Sequence, residues 1–178
     1  MISAHVFIAT SLDGFIARPD GDIGWLLQRD DPDEDHGYQE FIADKDAIVM
    51  GRGSYETVAR FDPWPYDRPV IVLSKRLAGT PMPAALEGKV RFSDAAPREA
   101  MAELERQGVR RVYVDGGQLV QSFIRAGLVD DMVITTVPVL IGTGRPLFGA
   151  VPRDLDLLLA GSRSFPSGLV QSTYRFAK

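Results

Sequence analysis

Twice in this chain a short apolar run breaks into glycines and resumes with helical spacing. DAIVM (46–50) runs into Gly51-Arg52-Gly53-Ser54, and VYV (112–114) runs into Asp115-Gly116-Gly117-Gln118. A fully apolar run bounded by turn residues marks a strand covered on both faces. A strand that turns tightly into a helix is the first half of a parallel crossover. Two such units confine the chain to an α/β architecture with helices on both faces of a mostly parallel sheet.

The rest of the chain fits that frame. Residues 5–11 read as a first buried strand, 69–73 (PVIVL) as another, 90–92 as a short one and 132–140 as a long β-branched one. The spacing predicts a helix over 97–107, with Pro97 in its first turn, Ala100, Met101 and Leu104 on one face, and Gly108 at its end. A second helix covers 118–126, with Val120, Phe123 and Ile124 turned inward. Ser54 is a candidate cap for the helix after Gly51, and the acidic run 30–35 is placed to open a short helix through Phe41 and Ile42. Residues 11–25 form a long loop rich in Gly, Asp and Pro, the kind that often carries function. Residues 155–164 and 169–176 flank a Pro-Ser-Gly turn and predict a terminal antiparallel hairpin. The expectation is a three-layer αβα sandwich, one domain over 1–178.

The two glycine junctions also carry the candidate chemistry. Each offers backbone N–H groups at a helix start, which attract phosphate, and glycine lets a ligand approach the backbone closely. Ligands of parallel sheets sit beyond the carboxyl ends of the strands, where both junctions fall. Either junction alone reads equally well as a tight turn; the pair suggests a dinucleotide laid along the sheet edge. No GxGxxG follows the first strand, and neither GxxxxGK[ST] nor GxSxG occurs. Arg52 and Lys75, with Ser74 beside it, follow neighbouring strands and are placed to grip the 2′-phosphate of NADPH; the alternative is a pair of solvated surface cations. Asp35 and Asp13 are candidate proton sources for hydride transfer to a C=N or C=O bond, against a solvated acidic face for the first and an Asp-Gly turn for the second. Trp25, Trp64 and Tyr66 lie in loops, as walls for a flat heterocycle or as covers for the core edge.

Composition removes other classes. The chain has no cysteine and 2 histidines, so disulfides, thiolate nucleophiles and Cys-ligated metals are excluded and a histidine-rich metal site is not expected. A net charge of −4 gives no reason to expect nucleic acid or an anionic membrane as partner. The N-terminus MISAHVFIATS lacks the pattern of a secretory signal and no apolar run is long enough for a bilayer, so a cytoplasmic protein is expected.

IVMGRGSYETV (48–58), PVIVLSK (69–75) and VYVDGGQLVQSFI (112–124) resemble, in order, three cofactor-binding segments of dihydrofolate reductase. SLDGFIA (11–17) and the stretch 116–148 (GGQLVQSFIRAGLVDDMVITTVPVLIGTGRPLF) are more similar still to the reductase domain of bacterial riboflavin-biosynthesis deaminase/reductases. The resemblance implies a dihydrofolate-reductase-like fold with an eight-stranded sheet and NADPH as hydride donor. It sets Ala9 and Ile16 beside the nicotinamide, and Gly51, Arg52, Gly53 and Ser54 on the adenosine and pyrophosphate side. It sets Leu73, Ser74 and Lys75 near the 2′-phosphate, Gly116-Gly117 as the family's close-approach pair, with a cis peptide as one form of it, and Gln118, Leu119 and Val120 at the pyrophosphate. By the same resemblance Asp35 stands where dihydrofolate reductase has its acid and Arg68 where that enzyme has an arginine for the folate tail; Asp115 is expected on the substrate side, together with the loop aromatics Trp25 and Trp64. Riboflavin-type reductases usually show Lys where this chain has Phe15 and Glu where it has Asp115; dihydrofolate reductases usually carry Arg where it has Gln118. The deaminase half of the bifunctional enzymes has no counterpart here, which suggests a stand-alone relative. The expected activity is NADPH-dependent reduction of a small heterocycle, nearest to 5-amino-6-(5-phosphoribosylamino)uracil reductase. The alternatives are pterin reduction of the dihydrofolate type and a non-catalytic NADPH-binding protein. A homodimer through the C-terminal strands is expected from the same resemblance.

Overall fold

The computed structural model describes residues 1–29 and 31–177; Asp30, the first residue of the acidic run, lies outside them. Along the chain come β1 (Ser3–Ser11), β2 (Phe15–Ala17), α1 (Gly24–Leu27), α2 (Tyr38–Ala43), β3 (Ala47–Gly51), α3 (Arg52–Val58), β4 (Val70–Leu73) and β5 (Val90–Ser93). Then follow α4 (Pro97–Arg106), β6 (Arg111–Asp115), α5 (Gly117–Arg125), β7 (Val129–Val137), β8 (Arg145–Pro146), β9 (Leu157–Ser164) and β10 (Val170–Phe176).

The apolar runs are strands because both of their faces are covered. Alternate residues point to opposite sides. Val49, Ile71, Val112 and Val114 meet Met101 and Leu104 of α4 and Val120 and Phe123 of α5. Ile48, Met50, Val70, Val72 and Tyr113 meet Ile42 of α2 and Tyr55 and Val58 of α3 on the other side. The outcome is an eight-stranded sheet of order β5-β4-β3-β6-β1-β7-β10-β9, flanked by helices. The strands from β5 to β7 pair in parallel, whereas β10 is antiparallel to both of its neighbours. β3 and β6 are adjacent, with Met50 opposite Asp115, so the two glycine junctions open side by side on one edge. Helix α4 starts with Pro97, and the Glu99 carboxylate accepts from the Ala96 amide to close its first turn. No helix among the described residues is long and apolar enough to cross a membrane.

Several local expectations are corrected. The acidic run does not open a helix: α2 begins only after Gly37. The Asp31 and Asp35 carboxylates instead accept from the amides of Asp33 and Gly37, two residues on, and such Asx turns compete with helical hydrogen bonding. Glu34 accepts from the Ser167 amide and hydroxyl at the β9–β10 turn, and these bonds hold its carboxyl below the ordinary carboxylate range. Ser54 does not cap α3; it lies inside the helix, which starts at Arg52 behind Gly51. The loop 11–25 contains β2 and α1, and β2 pairs with β8, a strand of two residues.

Candidate functional site

A trough of about 1010 Å³ runs along the carboxyl edge of the sheet, where β1, β3, β4 and β6 end. Its walls include Ala9 on β1, Ile16 on β2, Gly51 to Ser54 at the start of α3, Leu73 and Ser74 after β4, and Asp115 to Leu119 at the start of α5. β8 contributes Arg145 and Pro146.

The α5 opening is built for close approach. The first helical bond runs from the Val120 amide to the Gly116 carbonyl at 2.8 Å, so the amides ahead of it have no acceptor within the helix. Gly116 has φ 98°, and a Cβ there would sit 2.6 Å from Ser54 Oγ. A Cβ on Gly117 would sit 2.5 Å from the Pro146 carbonyl oxygen, so β8 rests directly on this turn. The Gly116–Gly117 bond is trans; the cis bond among the described residues is Asp62–Pro63.

Asp115 ends β6 at the floor of the trough. Burial pushes its carboxyl above the ordinary carboxylate value, opposed by the Ser54 hydroxyl and the Gly116 amide turned toward it. The Tyr113 hydroxyl donates to the Phe7 carbonyl at 3.0 Å, so its lone pairs are what it offers Asp115. Burial also raises the phenols around it: Tyr113 well above its usual value, Tyr66 strongly, and Tyr38 to about 12, with the Asp115 charge adding to each. These phenols stay protonated at neutral pH, and Asp115 is the group in this corner that can change its charge.

Several candidates from the sequence lie elsewhere. Val120 is fully buried, its side chain in the core beneath α5. Lys75 is exposed and off the trough; the next residue, Arg76, lines it instead, because the Ser74 hydroxyl accepts from the amides of Arg76 and Leu77 and turns the chain. The Asp13 carboxylate accepts from the Ile141 and Gly142 amides at 3.2 and 2.7 Å. With the Ser11 hydroxyl foremost, these bonds hold it below its ordinary value, so it pins a loop and has no proton to give. Asp35 is exposed and committed to its Asx turn, away from the trough. Trp25 is buried with Val137, Ile141 and Leu169. Trp64 packs edge-on to Tyr66, at 5.5 Å between centroids; of these two, Tyr66 lines the trough. Arg68 donates to the carbonyls of Lys45 and Ala43 and pairs with Asp67, bracing the turn before β3.

Arg145, Arg76 and Tyr113 were not anticipated at the site. The signal for Arg145 was present but faint: a lone cation behind the glycines of Gly142-Thr143-Gly144. Arg52 lines the trough and is paired with Glu56, one helical turn on, at 2.6 Å.

Comparison with known proteins adds a lineage to this geometry. The family model described as the RibD C-terminal domain matches residues 4–171. The uncharacterized protein YwjB of Bacillus subtilis is 33% identical over 163 residues, 90% of each chain. The crystal structure of the "putative riboflavin biosynthesis protein" of Shewanella sp. PV-4 superposes with a TM-score of 0.91 at 37% identity, covering 99% of this chain and 100% of that one. Dihydrofolate reductase of Enterococcus faecalis, complexed with NADP(H), reaches a TM-score of 0.66 at 16% identity, covering 99% of this chain and 97% of that one, a likeness of fold.

Proposed function

The chain belongs to the RibD C-terminal domain family, and from that premise we propose that it is an NADPH-dependent reductase of a small flat heterocycle, with Asp115 as the acid. The observation that carries this reading is the pairing of two helix openings in one trough with a carboxyl of raised pKa at its floor.

The residues present fit the dinucleotide. The glycines of the α5 opening let Ser54 and Pro146 pack directly on the turn, and the amides of Gly117, Gln118 and Leu119, which line the trough, would take the pyrophosphate. Ala9 and Ile16 would border the nicotinamide, with Leu73, Ser74 and Arg76 on the adenosine side. When bound, the cofactor supplies a hydride. The protein's part is to hold the acceptor flat against the apolar wall of Ile23, Leu26 and Tyr66, to exclude water, and to place a proton where charge develops. Asp115 delivers that proton, and the Ser54 hydroxyl and the Gly116 amide then steady the carboxylate left behind.

The substrate is of the 5-amino-6-(5-phosphoribosylamino)uracil type in this reading. One observation favours a relative without the ribose phosphate: Phe15, in place of the lysine usual in riboflavin-type reductases, packs into the apolar cluster of Trp25, Val137 and Leu169. Titration with NADPH and NADH, followed by turnover on the phosphorylated uracil, its dephosphorylated form and dihydrofolate, tests the proposal. Binding of neither dinucleotide ends it, and tight binding without turnover on any of the three turns it toward a non-catalytic NADPH-binding protein. In the same titration, Arg52→Ala should weaken NADPH about tenfold and leave NADH unchanged; this is one charge-assisted contact, reduced by competition from Glu56.

A homodimer is part of the same proposal. All eight residues of β9, the free edge of the sheet, are exposed, Leu157, Leu158 and Leu159 among them, and an edge strand can pair with its own copy about a two-fold axis. Light scattering should return twice the 19.6 kDa of one chain.

A further inference from the structure

Three guanidinium groups border the trough, those of Arg52, Arg76 and Arg145. Arg52 is paired with Glu56, and Arg76 stands in solvent. Arg145 differs from both. It is half-buried, and among the described residues no carboxylate lies within ion-pair distance of it. Its Nε and Nη2 donate to the Pro19 carbonyl at 3.3 and 3.2 Å, an uncharged acceptor. A cation partly withdrawn from water without a counter-charge is costly unless an anion completes it.

The position of that guanidinium says where the anion would sit. A Cβ on Gly53 would come 3.0 Å from Arg145 Nη1, and one on Gly21 would come 3.2 Å from both Nη1 and Nη2. The fork therefore lies in a slot between the first turn of α3 and the loop after β2, and its slot exists because both residues are glycines. The following residue, Pro146, rests on Gly117 and accepts from Gln121 Nε2 at 3.2 Å, which fixes β8 against the opening of α5. Arg145 thus stands between the two helix openings. The loop it holds is itself tight, with the Arg18 amide on the Asp22 carbonyl and the Gly21 amide on the Arg18 carbonyl, both at 2.9 Å.

We propose that Arg145 is the positioning cation for the pyrophosphate of the bound dinucleotide and that, through Pro19, it fastens the loop 18–22 beside the trough. This inference rests on the dinucleotide reading above and adds to it a specific ligand contact and the loop tied to it. Arg52 faces the 2′-phosphate that distinguishes NADPH from NADH; Arg145 faces the diphosphate that both share. The two arginines therefore differ in the ligands they discriminate.

The test is a fluorescence titration of the full chain with NADPH and with NADH. The variants are Arg145→Ala, Arg145→Lys and Gly53→Ala, each checked for unchanged circular dichroism and thermal midpoint. Arg145→Ala should weaken both dinucleotides by the same factor, about 10- to 100-fold for one charge-assisted fork. Arg145→Lys should fall between, since a point charge replaces the fork. Gly53→Ala retains the charge but displaces Nη1, so it should shift both affinities in the same direction and keeps the test open if the alanine variant misfolds. Hydrogen exchange of the amides in 18–22 should slow on NADPH binding in the wild type and not in Arg145→Ala. Equal binding by wild type and Arg145→Ala overturns the proposal, and so does a loss confined to NADPH. A wild type that binds neither dinucleotide removes the reductase reading itself and this inference with it.

Discussion

Asp115→Asn should lower turnover by about two to four orders of magnitude, the contribution typical of a positioned general acid, while NADPH affinity stays close to that of the wild type. Asparagine keeps the shape and can still meet the Ser54 and Tyr113 hydroxyls, but it has no proton to transfer. The pH profile separates a chemical role from a structural one. Burial raises the Asp115 carboxyl above its usual 3.8, so the fold favours the acid form more than water does. Wild-type turnover should therefore fall as pH rises through that raised pKa, and the variant should lose this limb. Stability follows the same sign. The contribution of a group with a raised folded pKa is complete below its unfolded pKa and is lost as pH rises through the folded one. Thermal midpoints of the wild type should accordingly drop relative to the variant on the alkaline side of the window. Turnover within a few-fold of wild type would remove Asp115 from the chemistry.

The second large effect is expected from Gly117→Ala. The added methyl would lie 2.5 Å from the Pro146 carbonyl and 3.1 Å from Ile16 Cδ1, and the nearer obstacle is backbone. β8 must move, and because Phe15 pairs with Pro146, β2 and its Ile16 are pushed with it. Overpacking of this kind costs about 1–3 kcal/mol. If that cost falls on the bound state, NADPH affinity drops about 5- to 150-fold at 1.4 kcal/mol per decade. If it falls on the fold, the thermal midpoint drops by about 2–4 °C per kcal/mol in a chain of this size. Calorimetry with and without NADPH apportions the two. Unchanged affinity and midpoint in Gly117→Ala would show that β8 does not rest on the α5 opening.

What could be read from the amino acids was what local pattern determines. Strands covered on both faces have to be apolar throughout, which is why 46–50 and 112–114 stand out, and a crossover needs a turn, which is why their glycines do. The helix after Pro97 and the terminal hairpin announce themselves in the same way. Contacts across the chain were beyond reach. Asp13 reads as a turn residue until the amides of Ile141 and Gly142 arrive beside it. Trp25 reads as a pocket wall because nothing local says that Leu169 and Val137 will bury it. β8 has only two residues and exists because β2 pairs with it, so Arg145 carried no periodic signal. Lys75 missed the trough by one residue, since the bonds that rotate the chain there start from the Ser74 side chain.

The pairing of β3 with β6 has a consequence for the chain as it is made. The two helix openings of the trough meet only when Met50 lies opposite Asp115, and β1 gains its outer neighbour only once β7 has formed. On the proposed reading, a nascent polypeptide leaving the ribosome therefore has nothing with which to grip a nucleotide until β6 has been made. On the reductase reading, the ability to bind arrives only once these strands have paired, and a nucleotide would act as a latch on the assembled sheet rather than as a template for it.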